Sequence, residues 1–458
     1  MSFSAQHLVP APRSLVWDWH TRPGAISRLT PPFLAMTPHT EAASLADGTT
    51  IFRLPAGLKW IARHDLTRFQ PEVSFTDICV NSPIRKLAQW RHDHHFADGE
   101  QPGTTLVTDT VHTRAPANLL KPFFAYRQRQ LIADLQFLRS LAGGTDFTSA
   151  SPQVIAMTGA HGSVGRSLKA QLTTAGHTVI ELVRGEAKAG QRHWNTSYPS
   201  SHLLDGVEVL IHLAGEPIFG RFNDSHKQDI RDSRVDPTYK LARLVADSAS
   251  VTTMVCASAI GYYGPDRGAE LLSENSERGE GFLADVVSDW ERACAPAADA
   301  GKRVVNMRTG VALSGSSGLL PLLKTLFSTG LGGSFGGGNF WFSWIALDDL
   351  TDIYTRAVVD KRLHGPINAV APSPLLNKDL AKALGSELNR PTLLPIPTFG
   401  PKLLLGKEGA RELALADQRV SSAKISRLGH NFRFHEIADA LAHELGGEQL
   451  YTNDQANI

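Results

Sequence analysis

The sequence predicts a multidomain chain: an α+β domain, then an α/β domain, then a small, mainly helical C-terminal lobe. Three observations carry this. β-Branched runs, VSFTDICV (Val73–Val80) and TTLVTDTVHT (Thr104–Thr113), precede one amphipathic segment, Pro122–Leu141. A strand–glycine turn–helix–strand pattern then opens at VIAMTGAHGSVG, Val154–Gly165. Pro391, Pro395, Pro397 and Pro401 later punctuate an extended crossing ahead of HEIADALAHELG.

The first domain is expected over 1–145. Its strands read as a curved antiparallel sheet packed on the terminal helix, whose apolar face carries Phe124, Leu131, Leu135 and Leu138, with Pro122 in the first turn. WRHDHHF lies between the two strand runs. On a strand, His92 and His94 share one face while Asp93 and His95 point the other way. A metal site would need further ligands from elsewhere, so a polar strand and no metal are expected. Trp17, Trp19, Trp60 and Trp90 read as core or cavity wall. The small, polar stretch Ala142–Gln153 reads as a linker.

The second domain is expected over 153–365 and a substrate-side C-terminal region over 366–452. Gly159 permits the tight turn after the first strand. Gly162 lets the backbone approach a pyrophosphate, and Gly165 lets helix and strand pack closely. Ser163 and Val164 open the helix, whose free N–H groups face the phosphates. This is the pattern of a Rossmann dinucleotide site. The second strand, Thr178–Val183, ends at Arg184, where an acidic residue would grip a ribose hydroxyl. An arginine suits a 2′-phosphate, so NADP is favoured over NAD. After the strand Val209–Leu213, the small residues Ala214 and Gly215 let the chain pass close to the cofactor. HKQDIRDSRVDPTYKLARLV reads as helical with a break near Pro237, and Arg234 as a structural residue or one facing the cofactor. VTTMVCASAIGYYG is a further strand. It ends in Ser258, a candidate hydrogen-bond partner for substrate, with Tyr262 and Tyr263 in the loop beyond. Arg308 reads equally as an anion ligand or half of an internal ion pair. The glycine-rich stretch Gly330–Asp349 reads as a mobile lid or as a series of tight turns.

Bulk properties narrow the functional classes. The chain has 458 residues, 46 Lys plus Arg against 45 Asp plus Glu, and a net charge of +1, which gives no electrostatic case for nucleic acid. Cys79, Cys256 and Cys294 are far apart and read as buried thiols in a reducing compartment. MSFSAQHLVPAPRSLVWDWH lacks the basic start and apolar run of a signal peptide. No apolar run approaches the roughly 18 residues of a membrane span. A cytoplasmic location is the expectation.

From Val154 to Gly446 the chain resembles the extended short-chain dehydrogenases/reductases, and among them an epimerase-like family. The motifs are TGAHGSVG, HLAGEPI, HKQDIRDSRV, SAIGYYG, GFLADVVSDWE, RTGVALS, GLGGSFGGGNFWFSWIALDDL, GPINAVAPSPLLNKDLAKALG and RPTLLPIP. The stretch through QRVSSAKISRLGHNFRFHEIADALAHEL resembles that family's C-terminal DUF1731 domain. SLVWDWHTRPGAISRLTPPF, WRHDHHF, TLVTDTV and FAYRQRQLIADL resemble the SRPBCC, or START-like, helix-grip superfamily, which implies an apolar ligand cavity. The resemblance implies nicotinamide cofactor binding, places His161 and Leu213 on the cofactor side, and sets Ser258 at the superfamily's active-site serine.

One stretch departs from the pattern. The superfamily's catalytic Tyr and Lys, four residues apart on one helix, correspond to Phe282 and Val286, which transfer no proton and bind no ribose hydroxyl. Asp285, Asp289 and Glu291 on the same helix read as surface charge. The expected function is an NADP-dependent epimerase/dehydratase-like oxidoreductase acting on a small molecule of apolar character, with Ser258 and one of Tyr262 and Tyr263 moving the proton. The alternative is a non-catalytic NADP sensor or ligand-binding scaffold.

Overall fold

The structure, a computed structural model, describes residues 2–142 and 151–451. Most of the expected linker lies outside the described residues. The chain forms two compact units, one of residues 1–151 with 170–176 and 442–458, the other of 152–169 with 177–441.

The first unit holds a seven-stranded antiparallel sheet. Its strands are β1 (Ser2–Val9), β2 (Thr37–Thr40), β3 (Thr49–Arg53), β4 (Lys59–His64), β5 (Ser74–Cys79), β6 (Arg91–Asp98) and β7 (Thr105–His112), in the order β1-β7-β6-β5-β4-β3-β2. Along β1, β6 and β7 burial alternates residue by residue, the mark of a sheet with one face covered. The cover is the helix Ala117–Leu141. Its Leu131, Ile132 and Leu135 pack with Trp17, Phe75, Phe96 and Val107. The helix starts before Pro122, which sits in its second turn and not its first. The interruption is tolerated because the carbonyl left without a donor, on Asn118, belongs to an exposed residue that water can reach. Sheet and helix enclose a cavity of about 490 Å³ lined by Trp17, Trp60, Trp90, Phe75 and Phe123 among others.

The second unit is a Rossmann-type α/β fold. Seven parallel strands, β8 (Val154–Thr158), β9 (Thr178–Val183), β10 (Gln191–His193), β11 (Val209–His212), β12 (Thr253–Ala259), β13 (Arg303–Thr309) and β14 (Gly365–Ala369), lie in the order β10-β9-β8-β11-β12-β13-β14. The strand order reverses at β8, where ligands bind in such sheets. Strands β8, β11 and β12 are almost wholly buried, as a sheet covered on both faces requires. The helical stretch after β11 breaks at Ser233–Arg234, ahead of Pro237. Proline stands in the first turn of Val235–Asp247, where its missing N–H costs nothing.

Residues 370–441, after β14, fold into this same unit. A strand Asp417–Val420 pairs in parallel with Asp266–Leu272. The glycine-rich stretch is built of close turns. A Cβ on Gly332 would stand 2.2 Å from the Phe327 ring, and one on Gly333 1.9 Å from the Leu394 carbonyl oxygen. Asn377 Oδ1 accepts from the Phe335 amide at 2.8 Å, so this loop is held to the C-terminal segment through its backbone. Among the described residues no helix is long and apolar enough to cross a membrane.

Candidate functional site

The glycine turn follows β8 and opens the helix Ser163–Thr174. Gly159 has φ +70°, and a Cβ there would meet the Leu213 carbonyl carbon at 2.8 Å and the Ala214 nitrogen at 2.9 Å. A Cβ on Gly165 would come within 2.2 Å of the Gly159 oxygen. Gly162 is less crowded, its nearest neighbour 3.3 Å away, and its amide donates to the Gly159 carbonyl at 3.0 Å. Turn, helix start and the end of β11 thus form one backbone cradle with no room for a side chain at Gly159 or Gly165. His161 is exposed at its rim; its carbonyl accepts from Arg166 at 2.5 Å, and its Nε2 lies 3.5 Å from Glu181. Arg184, at the end of β9, is exposed and makes no ion pair or hydrogen bond among the described residues.

Thr158 locks the facing chain in place, a residue sequence reasoning passed over. Its hydroxyl accepts the amides of Leu213 (3.1 Å) and Ala214 (3.2 Å) and lies 2.7 Å from His212 Nδ1. With two amides donating to it, the hydroxyl donates to that nitrogen. Burial, with Arg234 nearby, pushes the His212 pKa down to about 3, so it stays neutral. Arg234 is structural. It is buried, donates to the Glu216 carbonyl at 2.9 Å, and lies over the Trp290 ring with its Cζ 5.1 Å from the centroid. Gly215 makes space for it, since a Cβ there would stand 3.0 Å from the guanidinium carbon.

Beyond β12 the structure draws the remaining candidates into one buried network. Ser258 donates to Glu291 Oε1 at 2.6 Å. Glu291 holds Arg308 through two 2.8 Å bonds. Arg308 also donates to the Tyr263 hydroxyl at 3.1 Å, which donates to Asn368 Oδ1 at 2.7 Å. Burial opposes the Arg308 charge, but the Glu291 carboxylate outweighs it and holds the guanidinium pKa above its usual value. Glu291 is therefore no surface acid. Asp285 pairs with Arg278, and Asp289 with Arg231 and Arg292. Ser258 faces this network while its strand neighbours Ala257 and Ala259, on the other face, are only half-buried. Tyr263 is fully buried, and burial pushes its pKa up to about 12 against the pull of Arg308. Tyr262 is different. It is half-buried, its ring lies 3.5 Å from the Arg308 Cζ, and its hydroxyl makes no hydrogen bond among the described residues.

Phe282 and Val286 are filled by packing. Val286 is core, grouped with Phe222, Ile230 and Leu283; Phe282 packs against that group and lies under Lys227, whose Nζ is 5.1 Å from the ring centroid. Glu412, from the C-terminal segment, caps this helix by accepting the amides of Phe282 (2.9 Å) and Leu283 (2.7 Å). Gly281, at φ +117°, leaves the space that the Glu412 carboxylate occupies.

In the first unit, His92 and His94 are buried and line the cavity, so β6 is not simply a polar strand. Asp77 on β5 pairs directly with His92 across the sheet, and Asp109 on β7 with His94. The sequence signal was alternation: TDI, HDH and TDT each put a polar residue on a strand, but only the register brings them together.

The cradle and the strand order are those of a Rossmann-type dinucleotide-binding fold. Residues 396–444 match the family described as Domain of unknown function (DUF1731). An epimerase family protein of Mycobacterium bovis is 39% identical over 63% of this chain and 97% of its own length. A crystal structure of a nucleoside-diphosphate sugar epimerase from Corynebacterium glutamicum is 55% identical, covers 99% of this chain and 92% of its own, and superposes with a TM-score of 0.87. The human epimerase family protein SDR39U1, crystallised with NADPH, is 28% identical over 64% of this chain and 99% of its own, with a TM-score of 0.59. The chain belongs to the epimerase family.

Proposed function

We propose that the chain is an NADP-dependent epimerase-like oxidoreductase, and that its first unit is a START-like domain holding an apolar small molecule. Arg184 carries the choice of cofactor: a free, exposed guanidinium at the end of β9, suited to pair with a 2′-phosphate. The human relative's structure with NADPH supports the same choice. The cradle of Gly159, Gly162 and Gly165, with the amides of Ser163 and Val164, would hold the pyrophosphate. Leu213, Ala214 and Gly215 would line its other side, with His161 at the rim. When bound, the nicotinamide supplies a hydride acceptor or donor. Arg184→Ala is expected to weaken NADPH binding about 10–100-fold, the worth of one charge-assisted contact, and to leave NADH unchanged. Fluorescence titration of both nucleotides checks it; equal losses for both, or a wild type that prefers NADH, overturns the assignment.

Tyr262 is the residue we assign to proton transfer. Of the three candidates it alone keeps an uncommitted hydroxyl, and Arg308 fixes its ring. Ser258 and Tyr263 then act by holding Glu291 and Arg308 in place. Tyr262→Phe should lower turnover about 10²-fold or more with NADPH affinity kept. The screen for turnover runs over sugar nucleotides, the class named for the Corynebacterium relative, and over apolar alcohols and ketones. Unchanged turnover in Tyr262→Phe sinks the role. Tight NADPH binding with no hydride transfer to any of these substrates favours the sensor.

A further inference from the structure

We propose that Asp77, His92 and His94 form a transition-metal site of the zinc class on the cavity wall of the first unit, with Asp109 orienting both histidines from behind. This does not rest on the cofactor reading above. The two histidines stand one above the other on β6, their ring centroids 3.8 Å apart, with Asp77 on one neighbouring strand and Asp109 on the other.

Each imidazole uses its two nitrogens differently. Asp109 Oδ1 lies 2.7 Å from His92 Nε2 and 3.0 Å from His94 Nδ1, so one carboxylate oxygen accepts both N–H groups. That choice of tautomer leaves lone pairs on His92 Nδ1 and His94 Nε2. Both face Asp77 Oδ2, each at 3.4 Å. An anionic oxygen facing two lone pairs at that distance is repulsive, so either a second proton on each ring or a metal ion must sit among them, and the metal is the alternative tested below. With metal–ligand bonds of about 2.0–2.2 Å, the edge of a tetrahedron is about 3.3–3.6 Å, the separation found here twice. A carboxylate behind each ligating histidine is the arrangement that fixes the ring and raises its basicity in metal sites. Two imidazole nitrogens and one carboxylate oxygen suit zinc and its neighbours better than calcium or magnesium.

The fourth position has a direction. Asp77, His92 and His94 line the cavity and Asp109 does not, so the open side faces the space walled by Trp60, Trp90 and Phe75. A ligand with one oxygen or nitrogen donor on an apolar body fits both parts. Arg127, buried on the same wall with no partner for its Nε among the described residues, would meet an anionic donor.

Cobalt(II) tests this on the full-length protein after chelator treatment. The expected result is one Co²⁺ per chain, with the intense visible bands of low-coordinate cobalt, displaced by Zn²⁺. His94→Gln and Asp77→Asn should each weaken binding by at least about tenfold. Asp109→Asn should do so by about 10–100-fold while the bands persist at saturation. NADPH titration of each variant reports whether the rest of the chain is intact. Absence of saturable Co²⁺ binding by the wild type overturns the site and leaves protons to hold the cluster together. Retention of wild-type affinity by both His94→Gln and Asp77→Asn overturns it as well, since the ion then sits elsewhere.

Discussion

Replacing Arg308 with Met should destabilise the second unit by about 3–5 kcal/mol, the usual cost of stranding one partner of a buried ion pair. The Arg308 side chain is 4% exposed and that of Glu291 13%, so water cannot take over either charge. The substitution removes both bonds to Glu291 and leaves the Tyr263 hydroxyl without its donor. Urea titration read through retained NADPH binding isolates this unit from the first. The double variant Arg308→Met with Glu291→Gln should recover part of the loss, because no lone charge remains buried. A single-variant cost below about 1 kcal/mol would mean that the pair is solvated, as surface pairs are.

Gly165→Ala is the second large effect. The new methyl carbon would stand 2.2 Å from the Gly159 oxygen and 2.8 Å from the Ala160 Cα. Both are backbone atoms, so no side chain can move aside. Overpacking of this kind costs about 1–3 kcal/mol, and the turn that must shift is the one that cradles the cofactor. NADPH affinity is expected to fall roughly 10–100-fold. Gly162→Ala meets the same Gly159 oxygen at 3.3 Å, a tight contact but far from a clash, so it should cost less stability than Gly165→Ala while NADPH binding weakens. If Gly165→Ala binds NADPH like the wild type, helix and strand are less tightly packed than the cradle requires.

The Rossmann core was legible because its signals are local. Strand, glycine turn and helix follow one another within one short stretch, and each glycine answers a backbone need at its own position. The helix Phe282–Arg292 was equally legible as a helix, but the roles of its residues were not. Glu291 looks like its exposed neighbour Arg292 until β13 brings Arg308 beside it. Ser258 looked available because nothing nearby in sequence competes for its hydroxyl; its partner lies 33 residues away. Tyr262 and Tyr263 are adjacent and identical in type, yet one is fully buried on Asn368 and the other keeps its hydroxyl free.

By itself, the sequence determined the Rossmann class of the second unit, the strand-and-helix make-up of the first, the glycine turn after β8 and the arginine at the end of β9. All of these are written in neighbouring residues, where covalent spacing dictates geometry. Tertiary structure alone decided which polar groups meet. The register of β5, β6 and β7 sets Asp77 and Asp109 against His92 and His94. The C-terminal segment brings Glu412 to cap the helix at Phe282. Such contacts join residues far apart in the chain, and their partners are chosen by strand pairing and burial, which no local pattern encodes.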